Sequence, residues 1–153
     1  MLLKLIEDKR IDHTKVIIEC REKDKQVERL IEFVKHLEQL EDGLVASAEG
    51  KLFRLNPKNI LFIEAVDRKT FCYTTDKVYE VELKLYELEE KYKVMDFMRI
   101  SKSFIINIQK IASLKPDFGG KILATMENGE KLYISRQYAL ALKEKLGIGG
   151  KRA

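Results

Sequence analysis

Two basic side chains and a hydroxyl stand directly before an apolar run near the middle of the chain. Arg99, Lys102 and Ser103 precede residues 104–106, and the run ends at Asn107. Arginine and lysine pair with phosphate, and a serine hydroxyl can contact a phosphate or a base edge. A loop with these side chains is suited to DNA binding, although such a cluster taken alone is more often solvated surface. Asn107 is interpreted as structural, because Asn at a strand end usually ties down its own turn.

Two further polar groups have the same potential. Arg136 and Gln137 follow an apolar run and fall in the first turn of an expected helix. A cation there opposes the helix dipole and gains nothing from its placement. Arg68, Lys69 and Thr70 connect two β-type runs. For both groups the structural alternative is ordinary charged surface.

The elements that must position these side chains are short strands. β-rich runs separated by turn residues occur at residues 44–48, 52–55, 60–66, 70–74, 78–81, 111–114, 122–125 and 131–134. Apolar spacing predicts a short helix over residues 84–92, and Ser135 is placed to cap a final helix. Many antiparallel strands with few short helices indicate a mainly β or α+β domain.

The first 43 residues have a different pattern. Residues 15–20 predict a strand, and Asp24 is placed to cap a helix that ends before Gly43. The apolar positions of that helix follow the 3.6-residue period; they are Val27, Leu30, Ile31, Val34 and Leu37. The pattern predicts a β-α extension with a boundary near Gly43.

Charge separates the same two parts of the chain. Residues 1–45 hold nine Lys and Arg against eleven Asp and Glu (−2), and residues 46–153 hold twenty against fourteen (+6). A mildly basic domain with an acidic extension is compatible with an electrostatic footprint for nucleic acid. With 153 residues, 45% hydrophobic and 35% charged, we expect one main folded domain.

The chain shows no sign of a membrane span or a metal site. Charged residues interrupt the apolar start too early for a signal peptide, and no run approaches the roughly 20 apolar residues of a span. We therefore expect a cytoplasmic protein. Cys20 and Cys72 are far apart and have no Cys or His at ligand spacing, so we expect neither a disulfide nor a zinc site.

Three segments, in this order, resemble the LytTR DNA-binding domain family. They are residues 59–65, residues 97–107 and residues 134–138. The resemblance covers about residues 45–148 and implies small antiparallel sheets stacked into an elongated β fold. It also implies sequence-specific binding of double-stranded DNA by a transcriptional regulator, with loops rather than a recognition helix entering the grooves.

The family's central motif is commonly Phe, any residue, Arg, any residue, then His-Arg-Ser. This chain has Phe97, Arg99 and Ser103 at matching positions, with Ser101 and Lys102 where the family has His-Arg. Lys102 provides a point charge instead of the planar fork that suits guanine.

The other two groups also correspond to family positions, and the match at Ser135 and Arg136 is close. Ser135 and Arg136 match a pair of positions that contact DNA, and Gln137 is a neighbouring candidate. The family also presents the loop containing Arg68, Lys69 and Thr70 to DNA. By resemblance, the DNA-binding set is therefore Arg68, Lys69, Thr70, Arg99, Lys102, Ser103, Arg136 and Gln137.

The expected organisation is an extension at residues 1–43, a DNA-binding domain at residues 44–148 and a flexible tail at residues 149–153. The extension is too short for the phosphorylated receiver domain that many family members carry. Its apolar helix face must be buried, either in a homodimer or against the chain's own β domain. Repeated DNA sites in the family favour the homodimer.

Two other function classes remain as alternatives. A protein-interaction module could bind an acidic partner with the same β edges and positive charge, without preference among DNA sequences. A small-molecule sensor or enzyme would need convergent polar groups, and the sequence has no nucleophile, phosphate-loop or metal motif. We therefore predict no active site, cofactor, metal or small-molecule ligand.

Overall fold

Among the described residues, ten strands and three α-helices form because turn residues interrupt the apolar runs every few positions. A computed structural model describes residues 1–40 and 43–147. The helices are α1 (Lys25–Leu40), α2 (Leu85–Lys91) and α3 (Arg136–Leu146). The strands are β1 (Leu44–Ala48), β2 (Lys51–Leu55), β3 (Phe62–Val66), β4 (Lys69–Tyr73), β5 (Val78–Val81), β6 (Phe97–Arg99), β7 (Phe104–Asn107), β8 (Ile111–Pro116), β9 (Ile122–Met126) and β10 (Lys131–Ile134). The mainly antiparallel α+β fold expected from the sequence is confirmed.

Seven strands form one antiparallel sheet in the order β2-β1-β5-β4-β3-β7-β6. Glu64 of β3 pairs with Phe104 at the start of β7. The β6–β7 connection therefore lies at the same end of the sheet as the β3–β4 turn. β1 and β4 are both antiparallel to β5 and so run in the same direction, which places the β1–β2 turn at the opposite end. The remaining strands form a second sheet in the order β10-β9-β8.

The central strands β3 and β7 of the large sheet are covered on both faces, so they are apolar on both sides. Side chains alternate between the faces of a strand. Ile63 and Ile105 lie in a core with α2, whereas Phe62 and Ile106 lie in a second core with the small sheet and α3. The continuous apolar runs of β3 and β7 follow from this double burial.

The predicted helix starts are confirmed with one difference. The Asp24 carboxylate accepts a hydrogen bond from the Val27 backbone N–H at 2.9 Å, as a capping residue does. Ser135 occupies the N-cap position of α3, but its side chain makes no capping hydrogen bond.

The predicted strand at residues 15–20 is wrong. These residues have no regular secondary structure, and Ile17 is 71% exposed. A strand requires a hydrogen-bonded neighbour, and none of the described strands pairs with this segment. The apolar face of α1 is only partly covered, and Phe33 and Leu37 remain exposed. The predicted tail at residues 149–153 lies outside the described residues.

None of the described helices is both long enough and apolar enough to cross a membrane.

Candidate nucleic-acid interface

The β3–β4 turn consists of Asp67 and Arg68, between the paired residues Val66 and Lys69. Both turn residues have positive φ, 51° for Asp67 and 64° for Arg68. Two-residue hairpins favour this left-handed backbone because it matches the twist of the strands, and glycine adopts it most easily. Arg68 is therefore an exposed cation whose left-handed backbone conformation is unfavourable for a residue with a side chain.

Thr70 does not share that exposure. It lies inside β4, opposite Ala65, and only 6% of its surface is accessible. Strand alternation turns Thr70 into the protein, so its side chain is not exposed for the DNA contact that the resemblance implies. Arg68 and Lys69 are the exposed members of this group.

The 100–103 loop (Ile100, Ser101, Lys102 and Ser103) connects β6 to β7. Ile100 is fully buried and anchors the loop in the core, whereas Lys102 is exposed and Ser103 is partly exposed. All four backbone carbonyls of the loop accept hydrogen bonds from the protein. In chain order the donors are Ser135 N at 3.0 Å, Arg99 Nε at 2.9 Å, Arg99 Nη2 at 2.7 Å and Ala65 N at 2.8 Å.

Two of these bonds connect the loop to the other candidate segments. Ser135 N, at the start of α3, donates to the Ile100 carbonyl, and Ala65 N, just before the β3–β4 turn, donates to the Ser103 carbonyl. Backbone bonds of this kind fix distances more firmly than contacts between exposed side chains. The structure thus brings together the three segments that the sequence singled out.

Arg99 is placed differently from the other candidate cations. Besides its two carbonyl partners, its Nη1 lies 3.2 Å from Oε2 of Glu89 on α2. Its side chain is 21% exposed. The guanidinium is therefore directed largely into the protein.

The start of α3 presents Arg136 and Gln137 to solvent. The first turn of the helix contains no acidic residue. Arg136 and the free N–H groups of the first turn both bear positive charge, which suits an anion such as a phosphate. The Ser135 hydroxyl is buried and has no hydrogen-bond partner among the described residues.

The sequence profile of the LytTr DNA-binding domain matches residues 50–147. The chain belongs to the LytTr DNA-binding domain family. A solved LytTr DNA-binding domain from Bacillus cereus superimposes with a TM-score of 0.65 at 26% identity, covering 69% of this chain and 96% of that one.

Two curated relatives show how much of the chain is shared. A sensory transduction protein LytT of Bacillus cereus is 33% identical over 105 residues, which are 69% of this chain but only 43% of that protein. A Staphylococcus aureus (strain MSSA476) protein, named as an HTH-type transcriptional regulator, is 26% identical over 148 residues. That alignment covers 97% of this chain and 99% of the relative. The chain thus spans less than half of the LytT protein and nearly all of the second relative.

The four exposed candidate cations of this LytTr domain have no carboxylate partner among the described residues. Within residues 1–40 and 43–147, no acidic oxygen lies within 4.0 Å of the charged nitrogens of Arg68, Lys69, Lys102 or Arg136. Glu64, the acidic residue of β3, accepts a hydrogen bond of 2.7 Å from the Tyr73 hydroxyl. Burial, together with this bond, raises the pKa of Tyr73 to about 12. Glu64 is therefore engaged within the sheet.

The sequence reasoning missed a fourth segment of the LytTr domain. The 117–120 loop (Asp117, Phe118, Gly119 and Gly120) connects β8 to β9, and Gly120 contacts the side chain of Arg136. Phe118 is 94% exposed. Gly119 and Gly120 lie between two of the predicted β-rich runs, and nothing in the local sequence indicates that this loop approaches α3.

The described residues contain no cluster of three or more His, Cys, Asp or Glu side chains that could hold a metal ion.

Proposed function

We propose that this protein regulates transcription by binding a specific double-stranded DNA sequence through three segments. Membership of the LytTr DNA-binding domain family supports DNA binding and transcription regulation in general. The proposed segments are the β3–β4 turn with Lys69, the 100–103 loop and the start of α3. Their proposed contacts are Arg68, Lys69, Lys102, Ser103, Arg136 and Gln137.

One observation carries this proposal. Two backbone hydrogen bonds attach the β3–β4 hairpin and the start of α3 to the 100–103 loop, and each segment exposes a cation that has no acidic partner in the part of the chain that the structure describes. Phosphate contacts fix the orientation of a protein on DNA, and base contacts supply specificity. We assign phosphate contacts to Arg68, Lys69 and Lys102. We assign a base contact to Arg136, because its planar fork matches guanine O6 and N7.

The test is binding to double-stranded DNA, measured by fluorescence anisotropy at physiological salt. The probes are the DNA upstream of the protein's own gene and duplexes selected from a random library, each competed with unrelated DNA. We expect a preference of roughly a thousandfold or more, as is typical of specific binders. Equal competition for every selected duplex would contradict the proposal.

A matched pair of variants tests the position of the interface. Arg68→Ala with Arg136→Ala removes two cations from the proposed surface. Lys51→Ala with Lys145→Ala removes the same charge at the opposite end of the large sheet and in the last turn of α3. We expect the first pair to abolish specific binding and the second to reduce affinity only slightly. Equal losses would indicate a general charge effect.

We also propose that the protein acts as a homodimer through its first 40 residues. Exposed apolar side chains concentrate there; they are Met1, Leu2, Leu3, Leu5, Ile6, Ile11, Val16, Ile17, Phe33 and Leu37. Burial of such a surface is the main driving force of association. Sedimentation should show a dimer, which Phe33→Glu should dissociate and Leu52→Glu, on exposed surface of β2, should not. A monomer at concentrations well above those that saturate DNA would contradict this assignment.

A further inference from the structure

We infer that Arg99 is a positioning residue that fixes the shape of the 100–103 loop and does not itself contact DNA. The inference rests on the proposed DNA-binding function, because the shape of the loop matters for binding only if the loop contacts DNA. Sequence resemblance places Arg99 among the DNA contacts. The hydrogen bonds of its guanidinium assign it a different role.

The guanidinium connects two consecutive peptide carbonyls. Nε donates to the Ser101 carbonyl at 2.9 Å and Nη2 donates to the Lys102 carbonyl at 2.7 Å. A planar fork directs these two donors at both carbonyls from fixed positions, whereas the donors of a lysine ammonium share one point on a flexible stem. Arg99 therefore sets the orientation of the peptide units on both sides of the Lys102 Cα atom.

Glu89 holds the other side of the guanidinium. Its Oε2 lies 3.2 Å from Nη1 and comes from α2, an element of the first core that is separate from the loop. The fork is thus held between a helix and the loop, and its positive charge faces a carboxylate. A DNA phosphate that bound Arg99 would have to displace the Glu89 carboxylate or a loop carbonyl from the guanidinium.

Arg99 completes the hydrogen bonding of the backbone carbonyls of the 100–103 loop. The Ile100 carbonyl bonds to Ser135 N, and the Ser103 carbonyl bonds to Ala65 N. Arg99 supplies the two bonds between them, so no carbonyl of the loop is left without a partner. The loop is therefore already ordered in the free protein, so less conformational entropy is lost when Lys102 binds DNA.

Amide hydrogen exchange of the free protein tests the positioning role without DNA. Arg99→Lys keeps the charge and loses the fork. It should accelerate exchange of the Ala65 and Ser135 amides about tenfold or more, because their acceptors belong to the loop. Amides of the β9–β10 pair should keep their rates. Lys102→Ala leaves every carbonyl bond in place and should change none of these rates.

Salt dependence of DNA binding tests whether Arg99 meets a phosphate. The slope of log affinity against log salt falls by about 0.9 for each phosphate contact that is lost. Arg99→Gln should keep the slope of the parent protein, whereas Lys102→Ala should reduce it. A reduced slope for Arg99→Gln, with unchanged amide exchange in Arg99→Lys, would overturn the inference.

Amide exchange tests the positioning role of Arg99, and DNA binding tests the proposed function, so either can be contradicted without the other. If the parent protein bound no DNA, the proposed function would fall, while amide exchange would still decide whether Arg99 shapes the loop. If Arg99→Lys does not fold, Glu89→Gln loosens the same guanidinium. It should accelerate the same two amides by a smaller factor, and unchanged rates in that variant would overturn the inference.

Discussion

A methyl group added to Gly120 would lie 3.1 Å from Cγ and 3.3 Å from Cδ of Arg136. Glycine at this position lets the aliphatic part of Arg136 lie directly against the 117–120 loop. The backbone there has φ of 79°, which glycine adopts without strain. The loop thus guides the side chain to which the base contact is assigned.

Gly120→Ala should therefore weaken specific DNA binding by displacing Arg136. The expected loss is part of the about 1–3 kcal/mol that a well-placed base contact supplies. Gly119→Ala is the matched control, since Gly119 has φ of 74° but its added methyl would meet no atom within 4 Å. Anisotropy titrations should show weaker binding for Gly120→Ala only. In an Arg136→Ala background the two variants should bind alike, and a persistent difference would exclude action through Arg136.

Arg136→Ala and Lys102→Ala should produce different kinds of loss. Arg136→Ala should cost about 1–3 kcal/mol and relax the preference at one base position. Lys102→Ala should weaken binding to all sequences evenly and lower the salt slope by about 1. Titrations against a set of single-base variants of the site, at several salt concentrations, separate the two. An even loss for Arg136→Ala would reassign it to the DNA backbone.

Arg68→Gly should increase stability and decrease DNA affinity. The left-handed conformation of Arg68 is easier for glycine, which should raise the free energy of unfolding by up to about 1 kcal/mol. Glu49→Gly is the control, since Glu49 also has positive φ, at 52°, in the β1–β2 turn at the opposite end of the sheet. Urea unfolding should show both variants stabilised. DNA binding should decrease for Arg68→Gly alone, and unaltered binding would remove Arg68 from the interface.

Cys72 should make the protein less stable at alkaline pH. Burial raises the pKa of its thiol from 9.0 to about 12. The folded state therefore holds the proton more tightly than the unfolded state. The stabilisation is complete below pH 9 and is lost between pH 9 and 12, at about 1.4 kcal/mol per pH unit.

Urea unfolding between pH 8 and pH 10 tests this, since the tyrosines with raised pKa, Tyr73, Tyr92 and Tyr133, have an ordinary pKa of 10.0 and contribute mainly at higher pH. Cys72→Ala should flatten the decline, and Cys20→Ala, at an exposed cysteine, should leave it unchanged. Equal slopes for all three proteins would contradict the prediction.

The sequence predicts elements whose signals are local. The periodicity of α1, with Asp24 before it, and the turn residues between strands are such signals, and most strands lie within one or two residues of their expected bounds. The strand expected at residues 15–20 is absent because a short apolar run does not specify a pairing partner. A strand forms only where another segment accepts its backbone bonds.

The candidate site likewise contains some residues that the sequence could identify and others whose placement it could not predict. The sequence identified Arg68, Lys102 and Arg136 from charge and resemblance, and the structure places all three on exposed surface. It could not show that Thr70 faces inward or that Arg99 is held by loop carbonyls. Those facts depend on the strand register and on contacts between segments distant in the chain.

The sharing of β3 and β7 between the two cores has a consequence for unfolding. Each strand places one side chain in the core beside α2 and the next in the core beside α3, and the Asn107 side chain fastens the end of β7 to the Ile60 carbonyl at 2.8 Å. Neither core can lose these strands without opening the other. We expect the β domain to melt as one cooperative unit, so no partly unfolded form keeps only one or two of the DNA-binding segments intact.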